Sequence, residues 1–181
     1  MVTLIARRPI LDSSDRVVAY SMAFRAADGD STLPIETDSD PASGARRAFR
    51  EYHLRRLADR HPIFIPVEVD SIVRGAVRDL PDDDVVICIA AAPGVGEEVV
   101  DAVARLADAG IRVAASDEGT GRVDPALAAH AQFVLLDPSA VAGEDRDPRL
   151  AAALERQGVR AVATHVADTE ARKQAEDAGF T

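Results

Sequence analysis

The pattern of apolar and polar positions divides the first 25 residues into two strands. Residues 2–6 and 17–25 are rich in apolar residues, and the segment DSSDR between them is rich in turn-forming residues. We therefore predict a hairpin. The larger apolar side chains share one face of its second strand: Val18, Tyr20, Met22 and Phe24. The other face is small, with Ser21 at its centre, and it ends at Arg25.

From residue 62 onward, short apolar runs alternate with amphipathic segments. Strands are predicted over residues 62–69, 84–90, 111–116, 133–137 and 160–166. Helices are predicted over residues 42–60, 70–80, 96–110, 124–130, 148–158 and 168–179. Such alternation indicates a parallel sheet with crossover helices, arranged either as an open doubly wound sheet or as a barrel. The initial hairpin and the lack of a glycine-rich phosphate loop after any strand disfavour a dinucleotide-binding fold.

Length and composition predict one globular domain over residues 1–181. The 181 residues are 47% hydrophobic, which is enough for a sizeable core. Residues 26–41 are polar and contain two prolines, so we expect a surface loop there. Phe180 follows the predicted end of a helix and looks like the first residue of a further strand, so we expect the last strand to be missing.

Charge and cysteine content narrow the class of protein. The net charge is −10, with 31 acidic and 21 basic residues, which argues against nonspecific nucleic-acid binding. Cys88 is the single cysteine and lies within the apolar run VVICIA, so we expect a buried thiol in a reducing compartment. We see no secretory signal and no apolar run long enough to span a membrane, and therefore expect a cytoplasmic protein.

The order and content of these segments resemble a known family. LIARRPILDSSDRVVAYSMAFR is similar to the opening of EAL domains, especially the short type joined to an HDOD domain, whose pattern is close to IARQPIFDxxxxVxGYELLFR. HPIFIPVEV, DVVICIA, IRVAASDEG and AQFVLLD follow in the family's strand order, and VATHVADTEARKQAEDAGF resembles AEkVETxeefexAxelGF. The resemblance implies a TIM-like (β/α) barrel, incomplete or modified, whose first strand is antiparallel. EAL domains hydrolyse cyclic di-GMP with two divalent metals, held mainly by carboxylates at the carboxyl ends of strands.

Most positions that match the family's metal-binding and catalytic residues carry other residue types. These vestigial positions are Ser21, Pro66, Cys88, Ala91, Ser116, Leu135, Thr164 and Ala167. The family's residue types are kept at Arg25, Asp117 and Asp137, whereas Arg8 replaces a glutamine. Magnesium needs several oxygen ligands, which the replacements do not supply. We therefore expect no catalytic residues, no metal and no cofactor.

The resemblance thus implies a pseudoenzyme of the cyclic di-GMP phosphodiesterase family. We expect it to serve as a protein-interaction or signal-relay module in bacterial signalling, with a protein partner or a second copy. The alternative is a sensor that binds cyclic di-GMP without hydrolysis, its phosphate site drawn from Arg25, Asp117, Asp137 and Arg8. Arg25 could instead pair with Asp117 or Asp137 in a purely structural role. An active phosphodiesterase is the least favoured function.

Other candidate sites in the sequence are weaker. Ser21, His165 and Asp137 could form a serine–histidine–aspartate set, but no nucleophile-elbow motif surrounds the serine. The histidines show no metal-ligand spacing: His53, His61, His130 and His165. The loops AAPGVGEE and DEGTGR are typical of turns rather than of phosphate loops. Residues 43–60, SGARRAFREYHLRRLADR, are predicted to form a strongly basic helix, whose charges make either a solvated face or a contact surface for an acidic partner, a second copy or a neighbouring domain.

Overall fold

The computed structural model describes most of the chain as two compact units. The described residues are 3–26, 32–33, 54–75, 77, 84–91, 94–117, 122–138 and 158–180. The first unit is Met1–Cys88 and the second is Ile89–Thr181. That both fold together as the one domain expected from the sequence stays a prediction. No helix among the described residues is both long and apolar enough to cross a membrane.

Strands and helices alternate in the order that the sequence pattern predicts. The described strands are β1 Thr3–Leu11, β2 Val17–Ala26, β3 Thr32–Leu33, β4 Ile63–Val67, β5 Val85–Ala90, β6 Arg112–Ser116, β7 Phe133–Leu136 and β8 Arg160–Ala163. The described helices are α1 Leu54–Leu57, α2 Val69–Val73, α3 Glu97–Asp108, α4 Pro125–Ala128 and α5 Thr169–Asp177. Strand β5 spans the boundary between the two units.

The first unit opens with the predicted hairpin. Strand β1 pairs antiparallel with β2, and a bulge shifts the register after Ile10. The Asp12 carboxylate shapes the turn by accepting hydrogen bonds from the N–H groups of Ser14 and Arg16, at 2.8 and 3.0 Å. The hydrogen bond from the Arg16 N–H lowers the pKa of Asp12 most, and the hydrogen bond from the Ser14 N–H lowers it next. The hairpin prediction is confirmed.

A parallel pairing follows the hairpin in this unit. Strand β2 pairs parallel with β4, with Tyr20 opposite Ile63 and Ser21 opposite Phe64. The first strand, β1, is antiparallel to β2, as the family resemblance implies, and the short β3 also pairs antiparallel with β2. Strand β5 is buried from Val85 to Ile89, the near-continuous apolar run that a parallel strand covered on both faces requires.

Three predictions for this unit need correction. Strand β1 continues to Leu11 instead of ending at residue 6. The helix expected over residues 70–80 ends at Val73, because Gly75 adopts a left-handed φ of 72° that breaks the helical path. Part of the expected loop over residues 26–41, Thr32–Leu33, pairs as β3 with β2.

The large apolar face of β2 is only partly buried. Tyr20 and Met22 are buried, whereas Val18 is 44% exposed; on the small face, Ala19 is 4% exposed. The pairing of β2 with β4 begins at Tyr20, so the hairpin extends beyond the first paired residue of β4. Val18 therefore lies where β4 supplies no neighbour to cover it.

The second unit contains a parallel group of strands with their helices. Strand β6 pairs parallel with β7, and β7 pairs parallel with β8. Helix α3 buries one apolar stripe: Val99, Ala102, Val103 and Leu106. Its carboxyl end closes on Gly110, whose φ of 82° allows the Ile111 N–H to reach the Leu106 carbonyl at 3.0 Å.

Helix α5 has clear sequence signals at both ends. The Asp168 carboxylate accepts a hydrogen bond from the Ala171 N–H at 2.8 Å and caps the helix. Gly179, with φ of 88°, lets the Phe180 N–H reach the Ala175 carbonyl at 3.0 Å. The buried Phe180 ring is the apolar residue that usually completes this kind of helix end.

Of the other predicted helices, one is shorter than expected and two lie mostly outside the described residues. The helix expected over residues 124–130 is Pro125–Ala128, with Asp124 as its cap. From the helix expected over residues 42–60, the described part is Leu54–Leu57, and residues 42–53 lie outside the described residues. Apart from its stop at Gly158, the helix expected over residues 148–158 also lies outside them.

Candidate functional site

The carboxyl ends of three parallel strands meet in the second unit. The register places Ser116 of β6 opposite Leu135 of β7, and Leu135 opposite Val162 of β8. Asp117 and Asp137 each follow directly after one of these strands. Strand ends of this kind are where parallel α/β folds commonly place their functional residues.

The two aspartates are linked through the backbone. Asp117 is 2% exposed, and its N–H donates to the Leu135 carbonyl at 3.1 Å. Its Oδ2 atom accepts a hydrogen bond from the Asp137 N–H at 3.0 Å. The Asp117 carboxylate therefore binds the loop after β7 to the end of β6.

The loop after β8 completes this cluster. The Thr164 N–H donates to the Leu136 carbonyl at 2.9 Å, which continues the β7–β8 pairing by one step. His165 then adopts φ of 57°, an uncommon conformation for a residue other than glycine. Its Nδ1 atom lies 3.7 Å from Asp137 Oδ2, and the imidazole is 62% exposed. Ala167, further along this loop, is exposed.

A second buried aspartate, which the sequence analysis did not identify, binds another loop of this unit. Asp124 is 4% exposed and caps α4 by accepting from the N–H groups of Ala126 and Leu127, at 2.8 and 3.2 Å. Its Oδ2 atom accepts from the N–H groups of Gly94 and Val95, at 2.7 and 3.3 Å. The signal in the sequence was the aspartate directly before Pro125, the usual order of cap and first helical residue.

Predicted site residues of the first unit lie on β1, β2, β4 and β5. Arg8 and Ser21 are direct cross-strand partners, so they share a face of the hairpin. Ser21 and Pro66 are half-buried, and Arg8 is exposed. The backbone of Arg25 pairs with Leu4 and Thr32.

Cys88 is part of the core, as predicted. The residue is 7% exposed, and burial raises the pKa of its thiol above the usual range. A buried thiol that stays protonated is a poor nucleophile and a poor metal ligand.

The side chains near the strand ends do not fit a divalent metal. Among the described residues, no three histidine, cysteine, aspartate or glutamate side chains are grouped so that they could hold an ion. Leu135 is 8% exposed and apolar, and Asp117 Oδ2 already accepts a backbone hydrogen bond. We therefore derive no chemical step through a metal.

The other histidines and the three members of the serine–histidine–aspartate set lie in different parts of the chain. His61 packs edge-on against the Tyr20 ring at 5.8 Å, and its Nδ1 atom lies 3.1 Å from the Ala58 carbonyl. His130 is half-buried, and His53 lies outside the described residues. His165 and Asp137 are close together in the second unit, whereas Ser21 belongs to the first. The serine–histidine–aspartate set stays a prediction.

Comparisons with known proteins give a clear result for the fold. No family model and no curated protein sequence matches the chain. The solved structure of the EAL enzyme Bd1971 with cAMP and cyclic di-GMP bound matches with a TM-score of 0.66 at 15% identity. YkuI of Bacillus subtilis, an EAL-domain protein in complex with substrate cyclic di-GMP and calcium, matches at 0.66 and 16%. A standalone EAL protein from Vibrio cholerae O395 with cyclic di-GMP bound matches at 0.65 and 15%.

These matches cover nearly the whole chain. They span 98% of it for Bd1971 and YkuI and 99% for the Vibrio protein. The chain spans 59% of the Bd1971 structure, 52% of YkuI and 87% of the Vibrio protein. The fold is therefore that of EAL domains, related to the TIM barrel, and the fold class expected from the sequence is confirmed.

Proposed function

We propose that this chain is an EAL-like domain that does not hydrolyse cyclic di-GMP and acts through contact with a protein partner or a second copy in bacterial signalling. The observation that carries this proposal is the chemistry of the strand ends. The fold matches EAL structures, whereas Asp117 serves to join two loops and Cys88 is part of the core.

The family resemblance supports the same conclusion residue by residue. The positions that match the family's metal-binding glutamates hold Ser21, Cys88, Ala91, Thr164 and Ala167. None of these side chains supplies a carboxylate, and magnesium sites depend on carboxylates and other hard oxygen ligands. The position of the family's lysine holds the buried Leu135, which can neither donate nor accept a proton.

Hydrolysis is the direct test of this proposal. The purified chain is incubated with cyclic di-GMP and Mg²⁺ or Mn²⁺, and the linear dinucleotide product is quantified by chromatography. Bd1971, described as an enzyme, is the positive control. We expect no product above the level of a protein-free sample. Product formed with turnover comparable to that of the control would contradict the proposal.

A second candidate function is a sensor that binds cyclic di-GMP without cleaving it. It is favoured by the bound cyclic di-GMP in three of the matched structures and by the retained residue types at Arg25, Asp117 and Asp137. Calorimetric titration separates the two functions. Saturable binding that Arg25→Ala abolishes would establish the sensor, and no heat at high micromolar ligand would exclude it. The cytoplasmic location expected from the sequence belongs to either proposal.

A further inference from the structure

The connection from α1 to β4 passes through two consecutive residues in the left-handed conformation. Asp59 has φ of 50° and Arg60 has φ of 65°. An aspartate visits this region as a single residue, because its short side chain can bond to the nearby backbone, but an arginine beside a second left-handed residue is strained. Helices α3 and α5 end instead on Gly110 and Gly179, for which the same conformation has little cost. The Asp59–Arg60 turn is therefore a strained segment that its surroundings hold in place.

Arg7 of β1 holds this turn from outside. The Ala58 carbonyl, just before the turn, accepts a hydrogen bond from the His61 N–H at 2.8 Å, just after it. The Leu57 carbonyl, at the carboxyl end of α1, accepts from the Arg7 guanidinium, which is 50 positions away in the sequence. The same nitrogen, Nη1, pairs with the Asp59 carboxylate at 3.0 Å. One side chain thus joins both the end of α1 and the strained turn to the hairpin.

Tyr20 of β2 is the support on which Arg7 packs. The Arg7 guanidinium lies 4.7 Å from the centre of the Tyr20 ring, and Tyr20 is 9% exposed. The His61 ring packs edge-on against the same ring, with the two ring centres 5.8 Å apart. The Tyr20 N–H donates to the Pro62 carbonyl at 2.9 Å, so the chain directly before β4 is fixed to β2. The Asp59–Arg60 turn is therefore the junction between a fixed β4 and the end of α1.

We propose that Arg7 is a latch on a conformational switch formed by the Asp59–Arg60 turn. In the closed state both turn residues are left-handed and Arg7 is bonded to the Leu57 carbonyl and to Asp59. In the open state the turn relaxes, Arg7 leaves these partners, and the carboxyl end of α1 separates from the hairpin, while β1, β2 and β4 keep their pairing. The strain favours opening and the latch opposes it, so the turn opens more easily than the unit unfolds. The switch does not depend on the function proposed above.

The latch is accessible to ions in the solvent. The Arg7 side chain is 47% exposed and that of Asp59 is 62% exposed. An ion pair with this exposure is weakened by salt, because dissolved ions screen its two charges. The backbone pairing of β1 with β2 does not depend on this ion pair. Ionic strength therefore shifts the turn toward its open state and leaves the hairpin in place.

Amide hydrogen exchange of the intact chain, followed by NMR, measures how the turn opens. The reporting amides are those of Asp59 and His61, which donate to the Arg56 and Ala58 carbonyls at 3.2 and 2.8 Å. A local opening exposes little surface, so low concentrations of urea should leave the exchange rates of these two amides unchanged. The amides that pair β1 with β2 should depend steeply on urea, because they exchange when the unit unfolds.

Variants test the latch and the strain separately. Arg7→Met should speed exchange of the two reporting amides at least about tenfold, since it removes hydrogen bonds from a charged donor. Raising the salt concentration from about 0.05 M to about 0.5 M should speed it about two- to threefold in the wild type but not in Arg7→Met. Arg60→Gly should slow it about threefold, because glycine accepts the left-handed φ without strain. Arg172→Met is the matched control, since it removes an exposed ion pair with Glu176 in the second unit, and it should have no effect on these amides.

Three results would overturn the proposal. If the reporting amides depended on urea as steeply as those of the hairpin, the turn would open only when the whole unit unfolds. If Arg7→Met changed their exchange no more than Arg172→Met does, Arg7 would not be a latch. If Arg60→Gly sped their exchange, the turn would not be strained. The dependence on urea and salt is measured on the wild type, so it decides the question even where Arg7→Met fails to fold.

Discussion

The Asp124 carboxylate joins two loops of the second unit, and its replacement tests how that unit is held together. One oxygen accepts from the N–H groups of Ala126 and Leu127 and caps α4. The other accepts from the N–H groups of Gly94 and Val95 in the loop after β5. The two roles can be separated, because Asp124→Asn keeps an acceptor for the helix and presents N–H groups to the loop, whereas Asp124→Ala removes both.

The expected losses follow from these contacts. A net hydrogen bond to a charged group contributes about 1.5–3 kcal/mol, and two such bonds to one oxygen are not additive. We therefore expect Asp124→Asn to lower the free energy of unfolding by about 2 kcal/mol. Loss of a helix cap costs about 1 kcal/mol more, which gives about 3 kcal/mol for Asp124→Ala.

The pH dependence has a defined sign. Burial raises the pKa of Asp124. The hydrogen bonds from the N–H groups of Gly94, Ala126, Leu127 and Val95 together lower it by more than burial raises it, so the resulting pKa lies below the usual value. The ionised carboxylate therefore stabilises the fold above the unfolded-state pKa of about 3.9. This contribution is lost as the pH falls through the folded-state pKa. The difference between wild type and Asp124→Asn should be largest near neutral pH and decrease below about pH 4.

Urea unfolding and amide hydrogen exchange measure the two roles. In Asp124→Asn the amides of Gly94 and Val95 should exchange faster, while those of Ala126 and Leu127 stay protected. Asp168 is the matched control, since it is exposed and caps α5 with one hydrogen bond to Ala171. Asp168→Asn should be nearly neutral. The reasoning would be refuted if Asp124→Asn were as stable as the wild type or if it lost as much stability as Asp124→Ala.

Two further predictions concern single side chains. Cys88 should resist alkylation by a soluble thiol reagent in the native state and react fully in urea, because its thiol is buried and its pKa is raised. Fast native-state labelling would contradict its place in the core. His165→Gly should raise the free energy of unfolding by about 0.5–1 kcal/mol, since it relieves a left-handed φ and loses only an exposed contact with Asp137. A clear loss of stability in thermal unfolding would show that this contact outweighs the backbone strain.

The strand and helix order could be predicted from the sequence because local patterns determine it. The runs of β5 and β7 are apolar on both faces, and α3 and α5 end at Gly110 and Gly179 with regular cap geometry. The length of β1 could not be predicted, because Arg7, Arg8 and Pro9 do not look like strand residues. In the hairpin, the Arg7 guanidinium stacks on the Tyr20 ring and pairs with the Asp59 carboxylate. Pro9 is tolerated because β1 lies at an edge of the sheet.

Side-chain roles at the candidate site depended on contacts between distant residues. Gly94 and Asp124 are 30 positions apart in the sequence, and Asp117 and Asp137 are 20 apart. Local sequence patterns therefore do not indicate the hydrogen bond within either pair. The exposure of Val18 depends on where β4 begins to pair with β2, which no local pattern records. Burial of Cys88, in contrast, follows from the apolar run around it and was predicted.

The position of Asp117 bears on how the retained residues should be interpreted. A carboxylate that serves a metal must direct its oxygens to the ion, and its neighbours must supply further ligands. Here Asp117 is 2% exposed, one of its oxygens accepts the Asp137 N–H, and its own N–H is bonded to Leu135. These contacts give the aspartate a structural role in the loop whether or not any chemistry occurs there. Its presence in the sequence is therefore consistent with a domain that keeps the EAL fold without EAL catalysis.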